Sequence, residues 1–191
     1  MTRRARSSSL APAVIDACCL IDLLASGQAE AILRAAGRAW HLPVAVRGEV
    51  RYVREHDPSQ PGGFLSVPTD LTPLIGSGLL ALCQPDSPQE QARFVQYATI
   101  FRSDGESMCL ALAESRGWAV ATDDRKAIRV AGQAGLTVIS CPALVKAWAV
   151  ATKTDRATLI QVLTDIQTLA QVRPNPAMSE AGWWSSQSGA P

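Results

Sequence analysis

The sequence has little of what several classes of protein need. It holds two histidines and no C-x-x-C pair, which argues against a metal site built from paired His and Cys ligands. Its five cysteines are odd in number, and several lie in apolar runs, as reduced core thiols do. No stretch reaches the roughly 18 uncharged apolar residues of a membrane span. A net charge of +1 gives no overall attraction for a polyanion. Any nucleic-acid site must therefore be local, and a hard metal ion stays possible.

What is present is the composition of a globular domain. Of the 191 residues, 47% are hydrophobic and 18% are charged, and the mean hydropathy is +0.07. At about 100 to 200 residues per domain, this length predicts one core with an extension. We predict a disordered basic arm over residues 1–12, one domain over 13–150, and a C-terminal helix with a tail over 151–191. That last segment packs on the domain or extends it. We expect a cytoplasmic protein with no membrane partner.

Short apolar runs alternate with amphipathic segments along the chain. Strands are predicted at 13–15, 42–46, near 83, at 118–122 and at 136–140. Helices are predicted after the first strand and at 29–36, 47–56, 88–100, 104–115, 124–132, from 142 and at 155–170. Such alternation predicts an α/β fold, a three-layer α/β/α sandwich with a mostly parallel central sheet.

Acidic residues recur where the predicted strands end. They are Asp16 after the first strand, Glu49 in the turn after the second, Asp104 and Glu106 at a helix start, and Asp123 and Asp124 after the fourth strand. Open α/β sheets bind ligands at the carboxyl ends of their strands, so these carboxylates are expected to converge. Converging carboxylates need a cation among them, and oxygen-only ligands select Mg²⁺ or Mn²⁺.

Most of these acids also have a local explanation. Glu106 fits the third helical position of a capping box with Ser103, and Asp104 fits a favourable charge at a helix N-terminus. Asp124 fits an N-cap. Asp123 fits a turn residue and Glu49 a solvated helix residue, so each of the five is, taken singly, explained without a metal.

Asp16 is harder to explain locally. It lies between the apolar runs Val14-Ile15 and Leu20-Ile21, where a buried carboxylate without a partner is costly. We therefore interpret it as functional. Asp22, one and a half helical turns further on, is expected to point away along the helix and to be structural.

Three motifs follow one another along the chain. They are Val14-Ile15-Asp16-Ala17-Cys18-Cys19-Leu20-Ile21-Asp22-Leu23, then Asp104-Gly105-Glu106-Ser107, then Ala121-Thr122-Asp123-Asp124-Arg125-Lys126-Ala127. In this order they resemble the motifs of the PIN-domain nuclease family. The order and intervals are similar to those of small prokaryotic PIN proteins over about residues 13–149. One departure is Ala17, where many family members carry Ser or Thr.

The resemblance implies a set of metal ligands and catalytic residues. Asp16 is the implied first ligand, Glu49 the second acid and Glu106 the third. The pair Asp123 and Asp124 supplies the fourth, with Asp124 matching the motif better. Asp104 is an extra acid that could serve as a substitute ligand. One or two Mg²⁺ or Mn²⁺ ions are the implied cofactors.

The resemblance also implies a substrate and partners. Family members hydrolyse RNA to leave a 5'-phosphate and a 3'-hydroxyl, and many are toxins of toxin-antitoxin modules, blocked by an antitoxin protein and often dimeric. RNA needs cations beside an acidic site. The basic residues near the proposed acids are Arg47, Arg51, Arg102, Arg125, Lys126 and Arg129. A solvated helix face explains each of them equally well.

Two other classes stay open. A catalytically inactive PIN-like binding or regulatory module would need the same fold, although the full set of acids speaks against degeneracy. A phosphoryl-transfer domain of the haloacid-dehalogenase type needs Asp-x-Asp after its first strand, and this chain has Asp16-Ala17-Cys18. Tyr52 and Trp118 could stack on a base, but core packing is the simpler expectation.

Overall fold

The computed structural model describes residues 10–172, 176 and 178–188. Its strands are β1 (Ala13–Ile15), β2 (Trp40–Pro43), β3 (Tyr52–His56), β4 (Phe64–Pro68), β5 (Leu80–Cys83), β6 (Ala119–Ala121) and β7 (Val138–Ile139). Its helices are α1 (Ala17–Ala25), α2 (Ala29–Ala35), α3 (Val44–Glu49), α4 (Thr72–Gly76), α5 (Pro88–Ala98), α6 (Asp104–Arg116), α7 (Arg125–Gln133), α8 (Cys141–Thr152), α9 (Arg156–Leu169) and α10 (Ala181–Ser188). Most of the predicted basic arm, residues 1–9, lies outside the described residues.

Five strands form one parallel sheet in the order β5-β2-β1-β6-β7. The central strand β1 pairs with β2 and β6, so that Val14 lies opposite both His41 and Val120. Helices flank the sheet, so every residue of β1 and β6 is buried. This burial explains why both strands are apolar throughout. The predicted α/β class with a mostly parallel sheet is confirmed, and the arrangement is compatible with three layers.

The ends of α5 and α6 lie at residues that commonly cap helices. Ser87 and Glu90 form a reciprocal capping box at the start of α5. Ser103 caps α6 by accepting from the backbone N–H groups of Gly105 and Glu106. Gly117 ends α6 in the left-handed conformation, with φ of 66°, and the chain then turns into β6.

The predicted helix over 47–56 is wrong. The helix α3 ends at Glu49, and the chain continues as β3, which pairs antiparallel with β4 to form a hairpin. Within β3, Tyr52 is 61% exposed and not turned inward. The spacing of Val50 and Val53 fits a helix, but a β-branched and aromatic run before a Pro- and Gly-containing turn also fits a hairpin, and pairing with β4 decides between them.

The segment after residue 150 packs on the domain. Four side chains of α9, those of Leu159, Val162, Leu163 and Ile166, are buried in the common core, and α9 contacts α1 and β3. In α10, Trp184 is buried as well. The amphipathic helix α9 therefore packs on the core of the domain. In the part of the chain that the structure describes, no helix combines the length and apolar character that crossing a membrane requires.

Candidate active site and a second acidic group

The first and last of the predicted acids follow neighbouring parallel strands. Asp16 directly follows β1 and caps α1, and Asp124 follows β6 and caps α7. Because β1 and β6 pair in parallel, their carboxyl ends meet at one edge of the sheet. The backbone of Asp16 donates to the carbonyl of Ala121 at 2.9 Å, which ties the two strand ends together.

The Asp16 carboxylate is buried and held by three donors. Its Oδ1 accepts from the backbone N–H of Ala17 at 2.7 Å. Its Oδ2 accepts from the Thr122 hydroxyl at 2.9 Å and from the Cys18 thiol at 3.2 Å. Burial still raises the pKa of Asp16, and the three hydrogen bonds oppose that rise. Ala17 has no hydroxyl to offer Asp16, and the Thr122 hydroxyl makes that contact. Thr122 belongs to the third motif, but the sequence predicted no role for it.

Glu49, the last residue of α3, is fixed from the start of α6. Its Oε1 accepts from the Ser103 hydroxyl at 2.8 Å and from the backbone N–H of Gly105 at 3.0 Å. A helix N-terminus favours an anion. The Glu49 carboxylate can lie this close to the backbone only because residue 105 is glycine. A Cβ there would lie 2.8 Å from the Glu49 carboxyl carbon. Ser103, predicted only as a cap, is therefore also a positioning residue for Glu49.

Glu106 lies where the fields of the other acids overlap. Burial is the largest cause that raises the pKa of Glu106 to about 7. The carboxylates of Asp16, Asp124 and Glu49 raise that pKa further, and the Lys126 ammonium lowers it. Among the described residues the Glu106 carboxylate accepts no hydrogen bond from the Ser103 backbone N–H, so only the half of the predicted capping box in which Ser103 accepts from the Glu106 N–H forms. Four acids from four separate elements thus act on one region.

These four acids form an open group. In the described part of the chain, no three of them place one oxygen each within 4.8 Å of one another. A hard ion that keeps several waters can be held in such a group through one or two carboxylates. Asp104 is exposed, and no hydrogen bond or ion pair among the described residues joins it to the other acids.

Asp123 lies in a different group from Asp124. Both of its carboxylate oxygens accept from the backbone N–H of Cys141 at 3.1 Å, at the start of α8. One ligand atom each from Asp22, Asp123 and Cys141 lies within 4.8 Å of the others, the one such triplet among the described residues. This buried Asp-Asp-Cys group could hold a metal ion. Asp22, expected to point away along α1, instead faces Asp123.

The electrostatics of this second group reflect its burial. Burial, with a smaller contribution from the charge of Asp123, raises the pKa of Asp22 to about 8. Burial also raises the pKa of Asp123 to about 6, although its bonds to the Cys141 N–H oppose the rise. Cys141 lies outside the three motifs and is distant in sequence from Asp22 and Asp123, so no sequence signal identifies the group.

The predicted substrate-binding cations are on the surface. Arg47, Arg51, Arg102, Arg125, Lys126 and Arg129 are not buried, and none forms an ion pair within the described part of the chain. Lys126 donates to the carbonyl of Ile100 and lies over the Phe101 ring. Trp118 packs against the core, as expected, and stacks on His41 with ring centroids 3.9 Å apart. Tyr52 is exposed, so the same expectation is wrong for it.

No protein-family model, curated protein or solved structure matches this chain. The class of protein is therefore argued from its own residues and their geometry.

Proposed function

We propose that the chain is a divalent-metal-dependent endoribonuclease with a PIN-like fold. The observation that supports this is that carboxylates from four elements lie near enough for the charges of Asp16, Asp124 and Glu49 to raise the pKa of Glu106. Two of the four, Asp16 and Asp124, follow the paired strands β1 and β6. Asp16, Glu49, Glu106 and Asp124 are the proposed catalytic acids. All four carry oxygen donors, the ligand type of Mg²⁺ and Mn²⁺.

The donor set of this group fits a hard divalent ion. Like charges at one site raise their own pKa values and destabilise the fold unless a cation joins them. Burial is the largest cause of the raised pKa of Glu106, and the charges of Asp16, Asp124 and Glu49 add to it. Asp16, Glu49, Glu106 and Asp124 would hold the ion. When bound, such an ion activates water and neutralises charge on a phosphodiester.

The chain itself keeps the carboxylates in place. Thr122, Cys18 and the Ala17 N–H hold Asp16, and the Ala127 N–H holds Oδ1 of Asp124 at 2.7 Å. Ser103 and Gly105 hold one oxygen of Glu49. The second oxygens of Glu49 and Asp124 accept no hydrogen bond from any residue that the structure describes. These two oxygens are therefore available to a ligand.

RNA is the proposed substrate because exposed Arg and Lys residues lie close to the proposed acids in the chain, as Arg125 does to Asp124. Phosphates are attracted by Lys and Arg, and unpaired surface cations are free to meet them. The Lys126 ammonium lowers the pKa of Glu106, so its charge acts on the proposed reaction centre. A phosphate backbone guided by such cations would pass the four acids.

The test is cleavage of a mixed single-stranded RNA pool in Mg²⁺, in Mn²⁺ and in EDTA. Wild type is expected to cut with either ion and not with EDTA, and Asp16→Asn to lose the activity. Glu30→Gln, an exposed acid on α2 that pairs with Arg34, is the matched control and should cut like wild type. Equal cutting by wild type and Asp16→Asn would reject the proposal.

The open spacing of the four acids favours one alternative, a catalytically inactive PIN-like binding module. A module of this kind would bind RNA or a protein partner without cutting. Metal-independent RNA binding by wild type and Asp16→Asn alike, with no cleavage in either ion, would support it instead.

A further inference from the structure

The second acidic group joins three elements that are distant in sequence. Asp22 lies on α1, Asp123 follows β6, and Cys141 begins α8. Asp22 is 3% exposed and Cys141 is 1% exposed. Two carboxylates and a thiol thus meet in the interior, outside the four proposed catalytic acids.

One atom of this group is buried without a hydrogen bond. The Asp22 Oδ2 accepts none from any residue that the structure describes. In the part of the chain that the structure describes, no Lys, Arg or His pairs with Asp22 or Asp123. Burying a carboxylate oxygen without a donor or a cation costs free energy of folding. A cation bound between Asp22 and Asp123 would remove this cost.

We propose that Asp22, Asp123 and Cys141 bind a Zn²⁺ ion that is distinct from the ions of the candidate active site. Mg²⁺ and Mn²⁺ prefer oxygen ligands only, whereas Zn²⁺ takes carboxylate oxygen and thiolate sulfur together. A closed, buried position is typical of structural zinc. The inference does not depend on nuclease activity.

A second thiol interacts with Cys141. Cys19 is fully buried on α1, and its interaction with the Cys141 side chain, together with burial, raises the pKa of the Cys19 thiol. Zn²⁺ in structural sites is almost always four-coordinate, and Cys19 would complete two oxygen and two sulfur ligands. Bound there, the ion would join α1 to α8 and to Asp123, the residue that precedes the proposed catalytic Asp124.

The first experiment is titration of metal-stripped full-length protein with Zn²⁺ and with Mg²⁺ by calorimetry. Wild type is expected to bind one Zn²⁺ that excess Mg²⁺ does not displace. Asp22→Asn and Cys141→Ser should each weaken Zn²⁺ binding by about 100-fold or more, since even residues behind the ligands cost 10- to 100-fold. Asp16→Asn and Cys83→Ser, a buried cysteine elsewhere in the fold, are the controls and should bind like wild type.

A spectroscopic readout separates a lost ligand from a damaged fold. With Co²⁺ in place of Zn²⁺, wild type and Cys83→Ser should show near-ultraviolet thiolate-to-metal absorption, which Cys141→Ser should reduce. Circular dichroism of the metal-free variants reports whether they fold. Asp22→Asn is a mild substitution because it keeps the shape of the side chain and removes an unpaired charge.

Two results would overturn the inference. One is a wild type that binds no Zn²⁺ in the presence of Mg²⁺. The other is Zn²⁺ binding that Asp22→Asn and Cys141→Ser leave unchanged while Asp16→Asn abolishes it, because the ion would then lie among the proposed catalytic acids.

Discussion

Asp123 and Asp124 are consecutive, yet they belong to two groups of opposite character. Asp124 belongs to the open group with Asp16, Glu49 and Glu106. Hydroxyl, thiol and backbone donors hold the carboxylates of Asp16, Glu49 and Asp124. Asp123 accepts from the backbone N–H at the start of α8 and lies beside the Asp22 carboxyl and the Cys141 thiol. The Asp22 Oδ2 accepts no hydrogen bond from the described residues. Adjacent positions after one strand thus present carboxylates to different environments, and the partners decide the chemistry.

The largest expected effect separates the two groups by activity. Asp16→Asn should lower RNA cleavage about 100-fold or more, because it removes a charge from the proposed catalytic acids. Asp22→Asn should stay within a few-fold of wild type in Mg²⁺. Initial rates on one RNA substrate measure both. If Asp22→Asn proved the more damaging change, the division into two groups would fail.

The second prediction uses stability against pH. Asp22 has a pKa of about 8 in the folded protein, above its ordinary value of 3.8, so the unfolded state releases this proton at lower pH. Stability is therefore lost as the pH rises from about 4 to 8. Metal-free Asp22→Asn should be more stable than wild type by about 1–3 kcal/mol at pH 8 and by almost nothing at pH 4.

Thermal unfolding at both pH values measures this difference. Saturating Zn²⁺ should then reverse the order at pH 8, because a ligand stabilises only the protein that binds it. An Asp22→Asn variant that is less stable than metal-free wild type at pH 8 would contradict the unpaired state of this carboxyl.

An acid that is paired with a cation, Glu90, should change stability with pH in the direction opposite to Asp22. Glu90 accepts from Arg116 at 2.6 Å, and this partner lowers the pKa of Glu90 to about 2 from 4.5. The stability it contributes is present above about pH 4.5 and is lost as the pH falls towards 2. Glu90→Gln should cost about 2 kcal/mol at pH 7, and the difference from wild type should shrink at pH 3. Urea unfolding at the two pH values checks this.

The smallest effect concerns the support of Glu49. Gly105→Ala places a methyl group against the Glu49 carboxylate, which can swing away at little cost to folding. Cleavage should fall by about tenfold, with little change in melting temperature. Gly132→Ala, in α7 with open space around its Cα, is the matched control and should cut normally. A melting temperature that drops with activity in Gly105→Ala would point to the fold instead.

Local pattern accounts for much of the fold. Alternating apolar runs predicted the parallel sheet, and the capping pattern at Ser103 predicted a helix start, because these signals depend on neighbours within a turn or two. The same reasoning predicted a helix where β3 lies, since the hairpin is decided by pairing with β4, which no short window contains. Short apolar segments are ambiguous until a partner strand is present.

For the site, the sequence by itself determined which carboxylates follow β1 and β6, because strand ends and their polar residues are local features. Only the tertiary structure decided that Ser103 and Gly105 hold Glu49, and that Asp22 and Cys141 join Asp123 while Asp124 turns to Glu106. The reason is physical. A side chain's partner depends on how separate helices and strands pack, and that packing is set by burial of the whole core rather than by the residues adjacent in the chain.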